Sequence, residues 1–597
     1  MLALAVSAGY LAWRLLFTID LAAWFVAIPL LVLEVHHAFG VGLYAFSLWD
    51  TDPLPPPGPV EWTDLRVALL IPTYDESIEV LLPVVSAALA IEPQHETWVL
   101  DDGNRTEIAE FATALGARYL ARESNEHAKA GNINNALHHI DADVIAVVDA
   151  DHVALPDFLR HTLGYFDDPE IAVVQTPQDF YNVDSFEHVV RKGDRPRYQE
   201  QEVFYRLILP AKNRWNAVFW CGTNALVRVS ALRDVGGVAT DSVTEDIHTS
   251  IRLQKRGWRI VAHNEVLARG LAAADANQYM LQRRRWARGA MQVLKSERLL
   301  LSRELTIPQR LAYGATLFSW FDALRSLLFV ALPIVVLATG VMPISVHLSA
   351  FGPAFLLTFL AQFTALRLLA RGYYPPFWSI VFETLRMPAV VPALMELVRP
   401  SSSRFRVTPK GRQAHDRSRV RVPLMFRALI ATAVLALAWF GLVIAGLGPV
   451  RYAFPGAMIG TAAFLAVNVA LLVIAARRVV DARYAGERRA SVRFDVDMAG
   501  VFDGRVARIV DVSLTGARIR VGDVAGLEDS LEGPVRLRVL YAQLDLFVRV
   551  VNVHRREAGR VELGLVFEPG QWQTVRGLAL VLFHGNPGRH RLEARAA

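Results

Sequence analysis

Apolar residues run with few interruptions through positions 21–48, 314–339, 345–369, 422–447 and 456–478. A helix needs about 20 such residues to cross a bilayer, so five membrane spans are expected. Residues 1–17 are apolar but shorter, carry Arg14 and lack a small-residue cleavage site, which favours a first span over a signal peptide. Six spans are therefore expected in all. Residues 376–398 are also apolar, yet hold Arg386, Glu396 and three prolines, a pattern suited to a helix lying in the membrane interface.

Between the second and third spans the period changes. Short β-rich runs at 67–71, 97–100 and 144–148 alternate with helical patterns at 77–90, 106–115 and 129–139. That alternation predicts a βαβ sheet with its sites at the C-terminal ends of the strands. A proline-rich stretch at 52–59 links it to the membrane. After residue 480, alternating runs at 503–510, 516–521, 535–540, 545–552 and 561–567 are separated by Gly and Asp turns, which predicts a small β-barrel. The expected layout is spans in 1–50, an α/β domain in 60–300, helices in 301–480 with a loop at 402–412, and a barrel domain in 481–597.

Composition adds exclusions. The only cysteine is Cys221, which rules out an internal disulfide framework and a Cys-rich zinc site. Net charge is +5 over 597 residues, too little to suggest nucleic acid as a partner. The placement of charge says more. Arg399, Arg404, Arg406, Lys410, Arg412, Arg417, Arg419 and Arg421 cluster between spans, and the positive-inside rule puts that loop in the cytoplasm. With six spans, both sizeable soluble segments fall on the same side.

Two acidic pairs stand at strand ends: Asp101-Asp102-Gly103, and Asp149-Ala150-Asp151. Either alone suits a loop or helix cap. Together at successive strand ends they favour a nucleoside diphosphate held through a divalent cation, because Asp-x-Asp turns two carboxylates to one face of an extended segment. Thr244-Glu245-Asp246 opens a helical pattern, and its carboxylate is either a helix cap or a general base for a sugar hydroxyl. Gln282-Arg283-Arg284-Arg285-Trp286 offers guanidinium groups for pyrophosphate and an indole face for a sugar ring, or a basic helix at the membrane surface. Asp322 and Arg325, three apart within a span, fit either a polar channel lined with Phe318, Trp320 and Phe321 or an ion pair holding helices together.

These motifs, in this order, resemble the processive family 2 glycosyltransferases. His127-Ala128-Lys129-Ala130-Gly131-Asn132, Gln175-Thr176-Pro177 and Phe219-Trp220-Cys221-Gly222-Thr223 are similar to the bacterial cellulose synthase catalytic subunits, the last with Trp and Thr where that family usually has Phe and Ser. Phe405, Val407, Thr408 and Lys410 resemble its gating loop. Arg489-Ala490-Ser491-Val492-Arg493 precedes a strand and Asp511-Val512-Ser513-Leu514-Thr515-Gly516 joins two others, a pair that resembles the cyclic di-GMP-binding PilZ domain.

The resemblance implies an α/β GT-A (Rossmann-like) domain inserted between transmembrane helices and followed by a PilZ barrel, with six spans in place of the family's usual eight. It implies inverting transfer of glucose from UDP-glucose to a growing β-1,4-glucan. Asp246 would be the base, and Asp149 and Asp151 would hold Mg²⁺. Thr73, Tyr74, Glu76, Asp101, Asp102, Lys129, Gln282 and Arg285 would serve the nucleotide, with Asp102 also counted among the catalytic carboxylates. Phe219, Trp220, Cys221, Gly222 and Trp286 would hold the acceptor. Arg488, Arg489, Arg493, Asp511, Ser513 and Gly516 would bind cyclic di-GMP as allosteric activator. The implied setting is the bacterial inner membrane, in contact with lipid and with a periplasmic cellulose synthase subunit as partner. Another β-glucan or hexose polymer, or a non-catalytic cyclic di-GMP receptor, remain alternatives.

Overall fold

The computed structural model describes residues 1–49, 54–190, 196–399, 420–448, 451–484, 491–522, 533–555 and 561–585. Phe405, Val407, Thr408 and Lys410 of the expected gating loop, and Arg488 and Arg489, lie outside the described residues.

Strands apolar on both faces make a sheet that must be covered on both sides. β1 (Val67–Thr73) is buried at every position. With β2 (Glu96–Asp101), β3 (Arg118–Ala121), β4 (Val144–Val147), β5 (Ile171–Gln175), β6 (Ala225–Arg228) and β7 (Arg259–Ala262) it forms a sheet in the order β7-β5-β6-β4-β1-β2-β3. The three expected helices stand at Ile78–Ala88, Thr106–Leu115 and Ala128–His139.

The strand order turns back between β1 and β4, which opens a crevice beyond their C-terminal ends. Only β6 runs against its neighbours. Its first residue, Ala225, therefore lies opposite Val147 and Gln175, the last residues of β4 and β5. The loop before β6, which carries Phe219 to Asn224, is thus delivered into the crevice beside Asp149. The alternation in sequence predicted the parallel strands; nothing in it announced this reversal.

Five helices among the described residues are long and apolar enough to cross a membrane: Leu21–Ser47, Ile307–Thr339, Leu348–Leu369, Leu424–Ile444 and Pro455–Val479. The sixth expected span differs. Leu2–Phe17 has 16 residues, about 24 Å of helix, short of a hydrocarbon core of about 30 Å. It packs against Leu348–Leu369 and Trp24–Ser47, where Tyr10 and Arg14 both bond Glu34 at 2.8 Å. The span expected from residue 314 begins earlier, at Ile307, behind a Thr306–Gln309 capping box, and tightens into a 3-10 turn at Ser319–Phe321.

The helix Pro376–Ala393 keeps Pro388 and Pro392 inside it. It packs against Ala276–Glu297, Asp322–Thr339 and Pro455–Val479, burying Val381, Phe382, Leu385 and Val390. It is a wedge between the helix Ala276–Glu297 and the helix bundle.

The C-terminal segment closes into a six-stranded barrel, one strand more than the five expected runs. The addition, β8 (Phe494–Phe502), starts directly after Arg493 and buries every second residue. β9 (Arg505–Val512), β10 (Gly516–Val521), β11 (Val535–Val539), β12 (Leu544–Arg555) and β13 (Val561–Phe567) complete the order β8-β9-β10-β13-β12-β11. A helix that the pattern did not suggest, Trp572–Phe583, follows. Its Trp572 meets Phe111 edge-on at 5.6 Å, Gln573 donates to Ala114 O at 2.6 Å, and Phe583 packs on Tyr181 and Phe494. One hydrophobic cluster therefore runs from Leu81 and Phe111 of the sheet domain into Phe494 and Leu578 of the barrel.

Candidate active site

The loops after β1 and β2 hold each other. Thr73 donates to Glu76 Oε2 at 2.7 Å, and the Tyr74 N–H reaches the same oxygen at 3.0 Å. Arg105 ties the loops by donating to Asp101 Oδ1 at 2.9 Å, to Thr73 Oγ1 at 3.1 Å and to Glu76 O at 2.7 Å. Asp101 is fully buried and also accepts from the Gly103 N–H, the Arg105 N–H and the Tyr119 hydroxyl. Its oxygens organise the loop. Gly103 is required because a Cβ there would stand 2.6 Å from Tyr74 O. Asp102 is clasped by Arg122 through Nε at 2.5 Å and Nη2 at 2.9 Å. Sequence reading missed both arginines, whose signal is only their spacing from the acidic pair.

Lys129 enters from the start of the next helix, where His127 and Ala128 adopt left-handed backbone conformations. Its Nζ contacts the Asp149 carboxylate and donates to Gly222 O at 2.7 Å. Burial opposes the charge on Lys129, but Asp149, Glu245 and Asp246 more than compensate and hold its pKa above the ordinary lysine range. Gly222 has φ of +85°, and a Cβ there would lie 3.1 Å from Asp246 Oδ2. The Asp149 and Asp246 carboxylates thus share one small volume around Lys129. The Asp149 N–H donates to Thr223 Oγ1 at 2.8 Å, which pins the β6 loop to the β4 loop.

Asp246 lies at the N-terminus of the helix Glu245–Lys255, and its Oδ1 accepts from the Ile247 N–H at 2.8 Å. Burial pushes its pKa up to about 7; Glu245 adds to this, while the Ile247 N–H, Lys129 and Arg285 pull it back. A carboxylate poised near neutrality in a cavity is matched to general-base work.

Asp149, Asp151 and His152 bring ligand atoms within 4.8 Å of one another. His152 was not expected from the sequence. Its Nδ1 lies 3.0 Å from Asp151 Oδ1, and among the described residues its buried Nε2 has no hydrogen-bond partner. Two carboxylates and an imidazole make a donor set that fits a divalent cation.

Residues 65–289 match the family of glycosyltransferase-like family 2 proteins, and residues 232–417 match the cellulose synthase family. The UDP-forming catalytic subunit of cellulose synthase 1 from Komagataeibacter xylinus is 35% identical over 446 residues, covering 72% of this chain and 60% of that protein. The matched residues are similar to the cellulose synthase type of family 2 glycosyltransferases. The corresponding subunit of Pseudomonas fluorescens SBW25 is 35% identical over 424 residues, covering 69% of this chain and 57% of that one. The chain thus spans less than two thirds of the length of these relatives. A mannosyltransferase of Pyrobaculum calidifontis, solved with GDP-Man and Mn²⁺, has a TM-score of 0.44 at 20% identity, covering 63% of this chain and 99% of that one.

The crevice does not end at Asp246. A cavity of about 500 Å³ runs from Cys221, Asp246 and Trp286 past Phe204, Tyr205 and Phe219 to Phe318, Trp320, Asp322 and Arg325 among the membrane helices. Trp286 is held by Arg283, which stacks 4.4 Å from its ring and 4.6 Å from Tyr279 while pairing with Glu187 and Glu200. Gln282 accepts from Arg283 at 3.0 Å, and Arg285 acts electrostatically on Asp246. Trp220 departs from expectation. It is 1% exposed, its backbone N–H donates to Ser250 Oγ at 2.8 Å, and its side chain belongs to the core rather than the cavity wall. Alternation places it opposite Phe219 and Cys221, which do line the cavity.

At the membrane end, both sequence readings of Asp322 and Arg325 coexist. They line the cavity, and Arg325 pairs with Asp322 at 3.1 Å and Glu383 at 2.7 Å while Asp322 meets His36 at 3.0 Å. Phe321 instead packs into the cluster around Tyr313 and Leu317. Removing one partner of such a network leaves buried charge uncompensated, so Arg325→Met is expected to cost about 3–5 kcal/mol. The measurement is thermal unfolding in detergent, and an unchanged midpoint would show these carboxylates to be fully hydrated.

Lys212 was also missed. It is fully buried behind Cys221, donating to Ala312 O at 3.1 Å with Phe219 and Tyr313 rings alongside, and burial lowers its pKa to about 7. Gly222→Ala provides a further test of the site. The added methyl would press on Asp246 at a backbone angle disfavoured for alanine, and a shift approaching 1 Å at the reacting group costs about 100-fold in turnover. Turnover within threefold of wild type, roughly 0.6 kcal/mol, would mean that the loop yields freely.

Proposed function

We propose that the chain transfers glucose from UDP-glucose to the non-reducing end of a β-1,4-glucan and moves the polymer through the membrane as it grows. The observation that carries this reading is the cavity joining Asp246 and Trp286 to Asp322 and Arg325. A transferase that releases its product after one step needs no exit through its membrane helices; one that extends a chain does. The curated names of its relatives support cellulose as the product.

In this reading Asp246 takes the proton of the acceptor hydroxyl as that oxygen displaces UDP in one inverting step. Trp286 and the Phe219–Gly222 loop hold the acceptor sugar, and Lys129 and Arg285 offset charge on the departing diphosphate. Thr73, Tyr74, Glu76, Asp102 and Gln282 border the nucleotide. Asp149 and Asp151, with His152 beside them, would hold Mg²⁺, which when bound neutralises phosphate charge. Both soluble domains are assigned to the cytoplasmic face of an inner membrane, with the glucan passing to the other side and a periplasmic subunit.

Cyclic di-GMP is the proposed activator at the barrel. Support comes from the Arg493–Asp511 pair at 2.8 Å beside a turn in which Ser513 donates to Gly516 O at 3.1 Å. Gly516 is obligatory for packing alone, since a Cβ would meet Leu565 O at 2.2 Å.

The deciding experiment supplies UDP-[¹⁴C]glucose to membranes containing the chain, with and without cyclic di-GMP, and digests the product with linkage-specific glucanases. A cellulase-sensitive polymer whose synthesis rises with the dinucleotide is expected. A product resistant to cellulase would reassign the polymer, UDP release without polymer would overturn processivity, and indifference to the dinucleotide would overturn the regulatory assignment.

A further inference from the structure

Apart from the carboxylate pair, two histidines and a glutamate converge from segments about a hundred residues apart in sequence. His161 lies in the turns between β4 and β5; His263 and Glu265 follow β7 directly. His161 Nδ1 and His263 Nε2 stand 2.8 and 3.1 Å from the same oxygen, Glu265 Oε2. One ligand atom from each residue lies within 4.8 Å of the others. The Tyr165 hydroxyl sits 3.0 Å from His263 Nδ1 and holds the ring in its orientation.

The three side chains are linked through Glu265 Oε2, and their ligand atoms lie close enough together to be shared by one cation. His263 is 6% exposed. Zinc–ligand bonds of about 2.0–2.2 Å place tetrahedral neighbours about 3.3–3.6 Å apart, so ligand atoms now at 2.8 and 3.1 Å need to open by only about half an ångström to admit the ion. His161 and Glu265 are 31% and 46% exposed, which leaves an entry path and room for water ligands.

We propose that His161, His263 and Glu265 bind a first-row divalent cation of the zinc type, in a three-ligand site separate from the Asp149–Asp151 pair. Two imidazoles and one carboxylate select zinc over magnesium, whereas the carboxylate pair favours the harder ion. The bound ion clamps the turns around His161 to the end of β7. The His263 N–H donates to Gln175 O at 2.9 Å, and the Gln175 side chain accepts from the Cys221 N–H at 2.7 Å and donates to Thr223 O at 2.9 Å. The clamp therefore underpins the loop that borders the active site without belonging to it.

The test uses the full chain in detergent, stripped with chelator and titrated with Zn²⁺ in the presence of millimolar Mg²⁺. Retained zinc is measured by elemental analysis after desalting, and the unfolding midpoint is followed in parallel. One zinc per chain and a raised midpoint are expected, with Asp149→Asn unaffected. His161→Ala, at a partly exposed position that leaves the buried His263–Tyr165 contact intact, is expected to weaken zinc binding at least about tenfold, and Glu265→Gln comparably. Equal zinc retention in wild type and His161→Ala, no retention by wild type, or loss in Asp149→Asn alone would each overturn the proposal. None of these outcomes depends on glucan synthesis.

Discussion

Asp246→Asn is expected to reduce sugar transfer by about 100- to 10,000-fold, the range that a positioned general base contributes. The substitution keeps size and the Ile247 hydrogen bond but removes the lone charge able to accept a hydroxyl proton. Donor binding should change little, because Lys129 retains Asp149 and the loops after β1 and β2 are tied by Arg105 and Arg122. The pH dependence supplies a second readout. Burial raises the Asp246 pKa to about 7, so its carboxyl is protonated and idle below that pH and ionised above it. Wild-type turnover should rise with pH through about 7, and residual turnover of the Asn variant should not. UDP release from UDP-glucose, measured from pH 5.5 to 8.5 at saturating donor, checks both. A variant retaining a tenth of wild-type turnover, about 1.4 kcal/mol, or the same pH profile in both proteins, would remove Asp246 from the role of base.

Much of this site was legible because catalytic carboxylates cluster at strand ends and helix starts, where sequence pattern is strongest. Asp149, Asp151 and Asp246 could be placed from the strand at 144–148 and the helical pattern after Thr244. The residues that hold them could not. Arg105 and Arg122 reach Asp101 and Asp102 through folded loops, and His152 joins Asp149 and Asp151 only because the turn after β4 brings it round. Glu383 meets Arg325 from a helix whose wedge position depends on packing against three others. Long-range pairing of this kind has no local period.

The same reasoning separates Asp101 from Asp102 and Trp220 from its neighbours. A motif specifies residue types, but alternation along an extended segment sends consecutive side chains to opposite faces. Cys221 and Phe219 consequently face the cavity while Trp220 fills the core. The barrel shows the converse error. β8 has a clear two-residue period from Phe494 to Phe502, yet the small residues Ala499 and Gly500 soften its outline, and the helix Trp572–Phe583 acquires its place only by docking on Phe111. The element that joins the barrel to the catalytic domain was therefore the least visible one.

Asp149→Asn is the counterpart to Asp246→Asn and should fail in a different way. Asp149 faces Lys129 on one side and Asp151 and His152 on the other, so it serves the ammonium and the proposed cation at once. Losing its charge removes a hard anionic ligand, and the Lewis-acid contribution of several kcal/mol that such an ion supplies corresponds to about 1000-fold in turnover. Lys129 keeps the influence of Glu245 and Asp246, so the helix that carries it should remain in place. Titration of UDP into the detergent-solubilised chain, with and without Mg²⁺, distinguishes the two variants. Wild type and Asp246→Asn should bind UDP more tightly when the ion is added; Asp149→Asn should bind it equally weakly in both conditions. Metal-enhanced binding that survives in Asp149→Asn would place the cation on other donors, and Lys129 alone would then account for the conformation of this carboxylate.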